Sequence, residues 1–102
     1  MIGEELFIMI EKVNIQEFEI EIEWVITDYR ADFKILNDPN CFTGMGGYVK
    51  WDGCMNITDD APDHFCDNQQ LNIFNDLMKY LRNKAKDLIP HADKESFNDE
   101  KS

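Results

Sequence analysis

Between residues 17 and 26 the chain alternates glutamate with large apolar side chains almost without a break. On a period-two ribbon Phe18, Ile20, Ile22, Trp24 and Ile26 fall on one side, and Glu17, Glu19, Glu21 and Glu23 on the other. Phe18, Ile22, Val25, Ile26 and Tyr29 also fit helical spacing, but a helix would strand Ile20 and Trp24 on its polar side. The β-branched and aromatic content favours the strand. Alternation returns over residues 30–36, where Ala31, Phe33 and Ile35 interleave with Arg30, Asp32 and Lys34, so a second, antiparallel strand is expected after a tight turn or bulge. Asp52-Gly53, set between residues 48–51 and 54–57, predicts a hairpin with a two-residue type I′ turn.

The remaining pattern is helical. Ile2, Leu6, Met9, Ile10 and Val13 recur at helical spacing, which predicts a short helix at residues 2–13, although the run 6–10 also suits a buried strand. Leu71, Phe74, Leu77, Met78, Leu81, Ala85 and Leu88 form one stripe of a long amphipathic helix. Asp67 with Gln70 resembles a capping box at its start, and Pro90 ends it. Asn37-Asp38-Pro39-Asn40 marks a turn. Gly44, Gly46 and Gly47 predict a mobile or tightly folded loop, able to approach a ligand closely. The expectation is therefore an α+β domain over residues 1–90: a small antiparallel sheet of about four strands against a long C-terminal helix, with a short N-terminal helix. Residues 91–102 read as a polar, disordered tail.

Charge changes the picture more than composition does. Twenty-one acidic residues against ten basic ones give −11, beyond what solubility asks of a small domain. Residues 1–66 carry 14 acids and 4 bases, whereas residues 67–90 carry 3 and 4. Direct binding to nucleic acid or an anionic membrane is disfavoured. The bases Lys79, Arg82, Lys84 and Lys86 suit the C-terminal half of a helix dipole. No segment reads as a signal peptide or approaches transmembrane length. An odd cysteine count fits a reducing cytoplasm, where the sequon at Asn56 goes unused.

Candidate chemistry is sparse. Cys41, Cys54, His64 and Cys66 offer zinc donors, with Cys54, His64 and Cys66 the weak core of such a site, but no Cys-x-x-Cys pair occurs. Asp59, Asp60, Asp63 and Asp67 lack the glycine and glutamate of a calcium loop. The glycine run lacks the Lys-Ser/Thr ending of a phosphate loop, and no nucleophile carries a catalytic signature. No cofactor is implied, and a non-enzymatic role is expected.

The acidic surface remains, with Glu17, Glu19, Glu21, Glu23, Asp32, Asp59, Asp60 and Asp63 as its candidate residues. A row of carboxylates suits a groove built for phosphates, and the competing reading is a solvated sheet face. In size and charge the chain is similar to phage-borne counter-defence inhibitors, such as anti-CRISPR and anti-restriction factors. That likeness implies a cytoplasmic inhibitor mimicking DNA, whose partner is a basic nucleic-acid-binding protein or nuclease. An immunity protein neutralising a basic toxin is the alternative within this class, and a Cys/His metal-binding or enzymatic domain the alternative outside it. Apolar edges leave a homodimer open.

Overall fold

A computed structural model describes residues 7–37, 42–61, 64–93 and 95. Five antiparallel strands follow one another across a single sheet in the order β1-β2-β3-β4-β5: β1 (Phe7–Ile15), β2 (Phe18–Ile26), β3 (Arg30–Asn37), β4 (Gly46–Lys50) and β5 (Met55–Asp59). One helix, α1 (Asn68–Leu88), covers one face. No helix among the described residues is long and apolar enough to cross a membrane.

The core lies where the alternation places it. Ile20, Ile22, Trp24 and Ile26 of β2, with Ala31, Phe33 and Ile35 of β3, meet Ile73, Leu77, Leu81 and Ala85 of α1. Trp24 is fully buried, with its ring edge-on to Phe33 at 6.1 Å between centroids. The predicted helical stripe is rotated slightly: Ile73 belongs to its buried centre, while Leu71 is 37% exposed. Asp67 caps the helix by accepting from the Gln70 N–H at 2.9 Å. The Gln70 side chain returns to the Cys66 N–H at 2.7 Å, one residue before the position a capping box uses.

The predicted N-terminal helix is corrected to strand β1, and the sheet has five strands rather than four. Residues 1–6 lie outside the described part, but from Phe7 onward each residue pairs in register with β2, from Phe7 opposite Ile26 to Ile15 opposite Phe18. Helical spacing lost because β2 needs a hydrogen-bonding neighbour, and the odd positions Met9, Val13 and Ile15 pack against the core only in the strand. The β1-β2 turn escapes sequence reading because Gln16 and Glu17 both adopt positive φ, 52° and 76°, without a glycine or asparagine between them. Glu17 therefore sits in the turn and not in the strand's carboxylate row.

The β4-β5 hairpin forms where expected, with a different turn. Only Gly53, at φ 89°, is left-handed there. Gly53 N–H donates to Lys50 O at 2.9 Å and Lys50 N–H to Cys54 O at 2.8 Å, so the three-residue loop is a tight turn closed by a glycine bulge. The glycine run is tightly fastened: Gly44 N–H reaches Ile35 O and Ile35 N–H reaches Met45 O, both at 2.8 Å, with Met45 fully buried. A Cβ on Gly47 would collide with Asn56 O and stand 2.8 Å from Ile57 Cα, so β4 and β5 reach this spacing only with glycine there.

The expected disordered tail begins as ordered chain. His91 N–H donates to Asp28 O at 3.2 Å, Asp93 N–H donates to Trp51 O at 2.9 Å, and the His91 ring stacks on Tyr29. Residues 94 and 96–102 lie outside the described part.

Candidate functional site

Strand register decides how acidic the open face of the sheet is. Even positions of β1 share that face with Glu19, Glu21 and Glu23 of β2, so Asn14 stands opposite Glu19 and Lys12 opposite Glu21. On the other side Lys34 stands opposite Glu23, and Asp32 follows one step along. Arg30 grips Asp32 through two hydrogen bonds, Nε at 2.9 Å and Nη2 at 3.3 Å, and lies 4.8 Å over the Tyr48 ring. Lys50 pairs with Arg30 across β3 and β4. Four carboxylates therefore share the face with four cations, at spacings where opposite charges attract. A shallow trough of about 400 Å³, lined by Glu23, Arg30, Asp32, Lys34, Tyr48 and Asp59, runs across this alternating surface.

Several acidic residues lie toward one end of the sheet, spread across its width. Antiparallel topology sends the β1-β2 turn and the end of β5 to that end, at opposite edges of the sheet. Glu17 lies in the β1-β2 turn and Glu19 in β2 opposite Asn14, Asp59 ends β5 opposite Gly46, and Asp60 and the cap Asp67 belong to the β5-α1 connection. Asp60 adopts φ 52° and sets its carboxylate against Gly44, while the Asp59 carboxylate lies beside Gly46. The small residues of the glycine run thus make room for two aspartates of the same protein. Asp63 lies outside the described residues.

The zinc candidates are not brought together. Cys54 follows the hairpin turn and Cys66 precedes α1, at opposite ends of β5. Five strand residues at about 3.3 Å each separate those ends by roughly 17 Å. Both thiols and His64 are exposed, Cys41 lies outside the described part, and no group of three His, Cys, Asp or Glu among the described residues is placed to hold a metal ion.

One polar cluster was missed by sequence reasoning. Glu11 occupies an odd position of β1 and points to the helix side. There its Oε2 accepts from Trp24 Nε1 and from the Tyr80 hydroxyl, both at 2.8 Å. Lys84 Nζ stands 3.7 Å from the other oxygen. Burial, and then the Glu11 carboxylate, push the Tyr80 phenol well above the usual tyrosine range. The cluster satisfies the one polar atom of the buried tryptophan side chain and ties β1 to α1, which gives it a structural role. Its signal was a single glutamate among Phe7, Met9, Val13 and Ile15. Part of the basic stretch of α1 is likewise structural, since Arg82 Nε donates to Gly53 O at 3.0 Å. Among the large aromatic residues, Trp24 is fully buried, Tyr48 is half-buried on the open face and Trp51 is 41% exposed.

No protein-family model matches this chain, and no curated protein or solved structure is significantly similar to it.

Proposed function

We propose that the protein is a non-enzymatic inhibitor that inserts its acidic end into the basic groove of a nucleic-acid-binding protein or nuclease, in the manner of phage counter-defence factors that mimic DNA. The observation that carries this reading is the uneven compensation of charge. On the open face Glu21, Glu23 and Asp32 have cations opposite or beside them, whereas Glu19 and Asp59 face Asn14 and Gly46, and with Glu17 and Asp60 they lie across the width of the sheet toward the end away from the basic half of α1. Carboxylates placed in this way steer a basic partner and replace phosphates in its groove. The reading assigns the protein to a reducing cytoplasm, in which the exposed thiols of Cys54 and Cys66 stay reduced.

The test is capture of host proteins at low salt with three folded forms: wild type, an end variant (Glu17→Gln, Glu19→Gln, Asp59→Asn, Asp60→Asn) and a face variant (Glu21→Gln, Glu23→Gln). The expected result is a nucleic-acid-binding partner retained by wild type and the face variant, lost by the end variant, and released as salt rises. Equal capture by the end variant would sink the proposal.

A further inference from the structure

The two edges of the sheet are unequal. β5 is five residues long, carries a bulge at Thr58 opposite Gly46 and Gly47, and ends in Asp59 and the left-handed Asp60. β1 offers nine residues without proline, glycine or a register break. In a two-residue hairpin the flanking Ile15 and Phe18 form the hydrogen-bonded pair, so the odd residues of β1 direct their N–H and C=O groups toward β2. The backbone groups of Ile8, Ile10, Lys12 and Asn14 therefore point away from the sheet, and no strand among the described residues takes them. Three large apolar side chains crowd the same stretch, with Phe7 60%, Ile8 59% and Ile10 54% exposed. Natural sheets protect such an edge, and here the outward charge nearest the middle of the strand is Lys12.

We propose that the first half of β1 is a homodimer interface, in which it pairs antiparallel with β1 of a second copy about a two-fold axis at Met9. The edge complements itself in that register. Ile8 of each copy stands opposite Ile10 of the other, so the outward backbone groups of both residues are used. The four isoleucines form one apolar cluster on the open face, and two five-stranded sheets become one of ten strands. The full-length register, centred on Glu11, would instead set two carboxylates directly opposite each other. It would also leave Ile8 facing Asn14.

Charge gives the interface a distinct signature. Two copies at −11 repel each other, so added salt strengthens the dimer, whereas salt weakens capture of a basic partner by the acidic end. The two proposals therefore fail separately.

The deciding experiment is sedimentation equilibrium of the full chain over a wide concentration range at low and high salt. The expected mass rises from 12.0 kDa toward twice that value, further at high salt. Ile8→Lys should hold the protein at the monomer mass with an unchanged circular dichroism spectrum. Ile10→Pro should do the same, because the N–H it deletes points outward; should that variant unfold, Ile8→Lys remains decisive. The register is read by Met9→Cys with Cys41, Cys54 and Cys66 changed to Ser. Opposed residues of a non-hydrogen-bonded pair lie about 4.5 Å apart at Cα, within disulfide reach, so oxidation should link the dimer. A monomer at every concentration would overturn the proposal, as happens if residues 1–6 or a strand of another protein covers the edge. A dimer indifferent to Ile8→Lys would overturn it equally.

Discussion

The first hairpin, β1 with β2, and the last, β4 with β5, close opposite edges of one sheet by different means. The first is long and uninterrupted, turns through two non-glycine residues in left-handed conformation, and is held to the helix by side chains: Gln16 Nε2 to Asp76 at 2.7 Å, and Glu11 to Tyr80. The last is short and bulged, and it depends on backbone spacing and on glycine. Side-chain contacts stabilise the first hairpin, and the absence of side chains makes the last one possible. Substitution should therefore injure the two in opposite ways.

The largest expected effect falls on the last hairpin. Gly47→Ala drives a methyl group into the backbone of Asn56 and Ile57, and should cost about 3 kcal/mol or prevent folding, read as a lower urea midpoint. In the first hairpin Glu11→Ala leaves the Trp24 indole and the Tyr80 hydroxyl without their acceptor and should cost about 2 kcal/mol. Glu11→Gln, which keeps one acceptor oxygen, should cost clearly less. Tyr80 gives the same contact an alkaline signature. Its phenol is held neutral in the fold, so above roughly pH 10 the unfolded chain releases that proton first and stability falls. Tyr80→Phe should flatten that decline in a pH series of unfolding curves.

A smaller effect of opposite sign tests the first turn. Glu17→Gly relieves a glutamate at φ 76° and should raise stability by about 0.5 kcal/mol, the relief being partly offset by the entropy of glycine. The smallest effect belongs to the second turn. The Cys54 N–H bonds the Asp52 carboxylate and holds its carboxyl below the ordinary value of 3.8. That contribution is present above this value and is lost as pH falls through the lower folded one. Asp52→Asn should remove a slight acid sensitivity and lower the neutral-pH midpoint slightly, by the same contribution.

The contrast also explains what could be read in advance. β2, β3, the last hairpin and α1 were legible because alternation, Asp-Gly and the apolar stripe all agreed with the final packing. β1 was illegible because its apolar residues satisfy two periods, and its turn carries none of the residues that mark turns. The candidate site was half legible. Sequence could count the carboxylates of β2 but not the Lys12 that register sets opposite Glu21, because the strand carrying Lys12 was read as helix. Glu11 was overlooked for the same reason: a charged residue on the core side is understandable only once its partners, 13 and 69 positions away, are known.

The direction of the strands bears on how the molecule is handled. Phe7 starts opposite Ile26, and Asp93 is fastened to Trp51, so both ends of the described chain leave from the side of the sheet carrying the β2-β3 and β4-β5 turns. Glu17, Asp59 and Asp60 lie on the far side. A fluorescent reporter or a surface anchor attached at either end would leave the carboxylates facing outward, whereas a fusion inserted between residues 16 and 17 would obstruct them.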